Sequence, residues 1–244
     1  MGDRRGGLDA RPGWHTLPYM ATKTATVFSL ALFPPVFLFQ RVVNADVVFV
    51  LSNRRLDDRS PANQCVIRSV VSGTKRIEIP VRTKDMPIDR VDVAERSSWF
   101  PKMQNDVRSA YKGLPNAPAA SELLAKSMSG ITSPWLTDYL MQAFMMTLEW
   151  LGWEKDIVRG DTVQRHPYDA ESEYELDLCL QNGCERFIVG TGPEIKARKL
   201  FRSKGVTLVS QDWNGTANLP ARDSILDAVA RLSAADILAR MQQT

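Results

Sequence analysis

Apolar residues in this chain occur mainly in two settings. Short continuous runs bounded by turn residues predict buried strands, and longer stretches at helical spacing predict packed helices. Residues 172–213 show both most clearly. Leu176, Cys179 and Leu180 fall on one helical face, and Gly183 stands where a C-capping glycine would end that helix. Phe187, Ile188 and Val189 form a run that reads as a strand buried on both faces. Gly190-Thr191-Gly192-Pro193 turns the chain into a helix bearing Ala197, Leu200 and Phe201, which Gly205 ends before the next strand, Val206, Leu208 and Val209. Strand, helix and strand at this spacing predict a parallel pair with a right-handed crossover.

A second crossover unit is expected near the start: a strand over 26–32, a turn at Pro34-Pro35, a helix over 36–44 and a strand over 47–51. This stretch is apolar enough to suggest a membrane helix. Pro34, Pro35, Gln40, Arg41, Asn44 and Asp46 interrupt it before a spanning length accumulates. Two strands around Ser72-Gly73 predict an antiparallel hairpin, and a further strand is expected over 88–93. From about 98 to 152 the period is helical, with helices over 98–112, 119–128 and 134–151. A strand at 157–159 and an amphipathic helical segment over 223–243 complete the chain. The prediction is an α/β fold: a mostly parallel sheet built from two βαβ units with helices packed on it, plus the hairpin and the helical insertion. Residues 1–22 are rich in Gly, Arg and Pro, so an extension precedes a single domain over 23–244.

Composition narrows the function classes. The chain has 244 residues, 44% hydrophobic and 24% charged, which are ordinary globular values. A net charge of +3 does not by itself point to nucleic acid. Cys65, Cys179 and Cys184 lack metal-ligand spacing and read as reduced thiols in a cytoplasmic protein, with Cys179 on an apolar helix face. Only His15 and His166 could supply imidazole chemistry. No motif calls for a metal or nucleotide cofactor.

In parallel sheets ligands bind beyond the carboxyl ends of the strands, which here carry Gly190-Thr191-Gly192 and Gln211-Asp212-Trp213. Asp212 is a candidate base, or the cap of a turn. The glycine turn is a candidate anion cradle, or a turn that needs glycine geometry. Arg159, and Arg54 and Arg55 with Asn53, could grip a carboxylate or phosphate, or lie on the surface as charges. Ser224 and Asp227 have the spacing of a helix cap with an acidic first turn, a role favoured over substrate binding.

The order of these pieces resembles the WbqC-like family of surface-polysaccharide gene clusters. The resemblance rests on Asn44-Ala45-Asp46-Val47, Trp99 with Tyr111, Ile157-Val158-Arg159, Leu178-Cys179 and Gly190 with Gly192. It continues through Gly205, Gln211-Asp212-Trp213 and Ser224-Ile225-Leu226-Asp227, and spans roughly residues 25–241. It implies transfer of a small acyl or aminoacyl group to an amine or hydroxyl acceptor, such as a sugar in O-antigen biosynthesis. Asp212 would be the catalytic residue, and Gln211, Arg159, Gly190, Thr191, Gly192, Asn53, Arg55, Ser224 and Asp227 would bind substrate. The expected partners are a small-molecule donor and acceptor, with a partner enzyme or a second copy of the chain, and no membrane. The family's His-Gln-Pro-Asn run aligns with Phe28-Ser29-Leu30-Ala31, and its Asp-Asp pair with Ser52-Asn53. These departures raise the alternative of a non-catalytic binding subunit. Nucleic-acid binding through the basic extension and Arg54, Arg55, Arg59 and Arg68 is ranked last.

Overall fold

The computed structural model describes residues 22–52, 54–56, 62–160, 171–190 and 195–242. Strand β1 (Thr24–Ser29) leads through helix α1 (Val36–Val43) to β2 (Val47–Leu51). The short strand β3 (Arg55–Leu56) is followed by the hairpin β4 (Gln64–Ser69) and β5 (Gly73–Glu78), then by β6 (Met86–Pro87). Three helices follow, α2 (Arg96–Ala110), α3 (Ala117–Met128) and α4 (Leu136–Leu151), before β7 (Asp156–Arg159). The chain continues through α5 (Glu171–Gln181), β8 (Arg186–Val189), α6 (Ile195–Ser203) and β9 (Thr207–Ser210). The pair β10 (Gly215–Thr216) and β11 (Leu219–Pro220) precedes α7 (Ile225–Arg231) and α8 (Ala234–Met241).

Five strands form one sheet in the order β7-β2-β1-β8-β9, and every adjacent pair is parallel. Its central strands are apolar because both faces are covered. All five residues of β2 are buried. Val48 and Val50 face one core with Phe28, while Val47, Phe49 and Leu51 face the other with Ala25 and Val27. On the first face lie α1, α4, α7 and α8, where Phe28 stacks on Phe144 with ring centroids 4.2 Å apart. On the second lie α5 and α6, with Leu178, Cys179 and Phe201 against Phe187.

The α/β architecture and both crossover units agree with the sequence pattern. Three elements differ. The first strand ends at Ser29 instead of 32, because Leu30 and Leu32 are buried in a loop whose Leu32 N–H donates to Ala62 O. Over 88–93 there is a 3-10 turn, Ile88–Arg90, and single bridges from Val93 to Val81 and Asp92 to Trp135. Val91 and Val93 alternate because each is buried where the chain passes the start of α4: Leu136 N–H donates to Val91 O, and Val93 N–H donates to Pro134 O. The last helical segment breaks into α7 and α8, since Ser233 caps a new helix by accepting the Asp236 N–H. Among the described residues no helix is long and apolar enough to cross a membrane.

Candidate functional site

The sheet winds in opposite directions from its centre. From β1 the chain crosses by α1 to β2 on one side, and from β8 it crosses by α6 to β9 on the other. The two crossover helices lie on opposite faces, so the carboxyl ends of β1 and β8 flank the switch point at which ligands bind in sheets of this kind.

Arg41 lies on α1 beside this switch point. Its Nε is buried without a hydrogen-bond partner, and a Cβ placed on Gly190 would stand 4.0 Å from its Nη1. Burial is the main cause that pulls the Arg41 pKa down. The Glu175 carboxylate opposes that shift and the Arg54 guanidinium adds to it. Arg41 is therefore a partly desolvated cation in a field holding one carboxylate and a second cation. Gly190 itself does not adopt a left-handed backbone. A Cβ there would meet the guanidinium only at ordinary contact distance.

Gln211 closes one side of this region from within. It is buried, its N–H donates to Val189 O, and its amide donates to Phe37 O at 2.6 Å and Gln40 Oε1 at 2.7 Å. These bonds latch the end of β9 to α1. Asp212 follows as an exposed side chain, and Trp213 packs partly into the core while its indole donates to Arg240 O. The indole bond and its core contacts explain why an aromatic residue stands there. Gly160, just past β7, is a constraint that its sequence context does not advertise. A Cβ there would strike the Leu51 side chain, and its carbonyl accepts the Tyr174 hydroxyl.

The sequence-predicted residues divide into groups. Asp212, Gln211 and Gly190 come together at the ends of β8 and β9. Arg159 ends β7 at the opposite edge, four strand spacings from β9, or roughly 19 Å. Arg159 and Asp212 therefore do not share one small ligand. Arg55 is exposed on β3, which pairs with β6 outside the main sheet, whereas the preceding Arg54 is the one whose charge reaches Arg41. Asn53, Thr191 and Gly192 lie outside the described residues, as do His15, His166 and Arg59.

Ser224 and Asp227 belong to a separate, buried network. Ser224 caps α7 by accepting the Leu226 N–H and donates to Phe33 O at 2.8 Å. Phe33 has a positive φ of 40°, so this bond clamps an unusual backbone at the turn between β1 and α1. Asp227 Oδ1 accepts from the Tyr111 hydroxyl at 2.9 Å and from the Arg68 N–H at 2.8 Å, while Oδ2 is buried without a partner. Burial raises the Asp227 pKa against both bonds. Asp223 accepts from Arg68 at 2.6 Å and Arg231 at 2.8 Å. Burial also pushes the Cys65 thiol to about 12, and its sulfur sits 3.2 Å from Ser224 Oγ. Ser224, Asp223, Asp227 and Cys65 are buried, and their bonds hold α7 and the hairpin to the loop before α1. Cys179 is buried in the second core, where burial also raises its pKa.

Among the described residues no cluster of three or more His, Cys, Asp or Glu side chains is placed to hold a metal ion. Sheet order and crossovers together define a doubly wound parallel α/β protein. The chain belongs to the WbqC-like protein family, whose profile matches residues 31–243. The match starts just past β1. No curated protein and no solved structure matches the chain significantly.

Proposed function

We propose that this protein transfers a small acyl or aminoacyl group to an amine or hydroxyl acceptor, such as a sugar of a surface polysaccharide. The observation that carries the reading is the switch in strand winding between β1 and β8, with the partly desolvated Arg41 on α1 and the exposed Asp212 just past β9, one strand beyond. The sugar acceptor is the one that the resemblance to the WbqC-like family suggests.

In this reading the acceptor N–H or O–H lies against Asp212. Its nitrogen or oxygen attacks the acyl carbon of the donor, forming the new acyl bond. The bond to the leaving group breaks, and the proton taken by Asp212 passes to the departing group. Arg159 and Arg55, at other edges, would contact only the outer parts of a large acceptor.

Transfer is measured as the mass gain of an acceptor sugar incubated with the purified chain and aminoacyl or acyl donors. Asp212→Asn should lower kcat by about a hundredfold or more, a typical general-base contribution. Unchanged turnover in that variant would remove Asp212 from the chemistry.

One observation favours a second reading, a binding subunit without chemistry. Phe28, which the resemblance sets against the family's histidine, is buried and stacked on Phe144, so that position serves core packing here. A purified chain that binds donor but never modifies an acceptor would establish that reading.

A further inference from the structure

Arginine side chains are rarely buried without charge-assisted hydrogen bonds, because desolvating a guanidinium is costly unless an anion compensates it. Arg41 departs from this pattern. It is half-buried, its Nε is shielded from solvent, and it donates no hydrogen bond to any described residue. The neighbouring charges do not resolve the deficit. Glu175 acts on it only at longer range, Arg54 repels it, and the net effect still disfavours the cation. Other polar groups nearby have partners: Gln211 donates to Phe37 O and Gln40 Oε1, and Asn44 donates to Gln40 O and Met241 O. The Arg41 side chain, its Nε without a partner, stands at the switch in strand winding, with a Cβ position on Gly190 4.0 Å from its Nη1.

We propose that Arg41 is the seat of an oxyanion, a carboxylate or phosphate group carried by the ligand. A planar oxyanion would meet the guanidinium fork on the side of Gly190, where no side chain projects, and would give the buried Nε an acceptor. The assignment rests on the transfer reading only in naming the donor as the molecule that carries the anion.

The test is equilibrium binding of sodium phosphate and, separately, sodium acetate to the full chain at fixed ionic strength, followed by calorimetry and by thermal unfolding. Wild-type protein should bind at least one of them saturably and unfold at higher temperature with it. Tighter phosphate binding assigns a phosphorylated ligand, and tighter acetate binding a carboxylate one. Arg41→Gln should weaken that anion about tenfold or more, and Arg41→Lys should fall between because the fork is lost. Without anion, Arg41→Gln should unfold no lower than wild type, since the substitution removes a desolvated charge. Arg108→Gln, on the surface of α2, should leave affinity unchanged. The proposal is overturned if neither anion binds saturably, or if Arg41→Gln binds as tightly as wild type. Arg41-dependent binding in a chain that transfers nothing would sink the transfer reading and leave the seat standing.

Discussion

Replacing Tyr111 by Phe removes one hydroxyl and leaves the ring in place. Tyr111 is fully buried, and its hydroxyl donates at 2.9 Å to a carboxylate on Asp227, a residue only 1% exposed. The other oxygen of that carboxylate has no partner, so the Arg68 N–H would be its sole remaining donor. Losing a hydrogen bond to a buried charged group costs about 1.5–3 kcal/mol. For a chain of this size that is a fall in Tm of roughly 3–12 °C. The penalty should depend on pH, and its sign follows from Asp227. The folded carboxyl has a raised pKa because it is buried. Its contribution to stability is therefore full below the unfolded value of about 3.9, and is lost as pH rises through the folded value. The Tyr111 hydrogen bond lowers that folded value, so Tyr111→Phe raises it further. The variant goes on losing stability at pH where wild type has finished, and the gap between them widens as pH rises. Urea unfolding of both proteins across pH 4 to 8 would measure this. A gap below about 0.5 kcal/mol at neutral pH, or one that narrows with rising pH, would refute the reasoning.

Gly160→Ala should destabilise by about 1–3 kcal/mol, because its methyl must displace the Leu51 side chain; denaturant unfolding measures it. Ser224→Ala should cost about 0.5–2 kcal/mol through loss of the α7 cap and of its bond to Phe33 O, read as a lower urea midpoint. The three thiols are buried, and burial raises the pKa of each, so Ellman's reagent should modify none of them quickly until the chain is unfolded. Gln211→Ala should cost about 1–3 kcal/mol by leaving Phe37 O and Gln40 Oε1 short of a donor, again measured by urea unfolding.

What the pattern of residues made legible was the part of the fold governed by local period. The run Val47–Leu51 is buried on both sides and was readable to the residue. Gly183, with φ 64°, ends α5 as its position suggested, and the stripe of α4 faces the core. Legibility failed where burial came from distant partners. Leu30 and Leu32 extended the predicted strand because a buried loop carries the same apolar residues as a strand. The break between α7 and α8 turned on one capping bond, at Ser233.

The site divides along the same line. The carboxyl edge of the sheet could be located from the crossover units alone. The Asp227–Tyr111 bond joins residues 116 apart, and the Ser224–Cys65 contact residues 159 apart, separations that no local pattern records. Arg41 did leave a trace, as one of the charges interrupting an apolar stretch. That trace argued only against a membrane helix. Its meaning depended on β8 bringing Gly190 alongside, which is a property of strand order.

The most direct test of the transfer reading is native mass spectrometry of the purified chain with a panel of nucleotide sugars, amino acids and oligonucleotides. The account predicts a small molecule bound to the protein and an acceptor whose mass rises by one acyl or aminoacyl group. A bound ligand with no modified acceptor, or an oligonucleotide adduct alone, would contradict it.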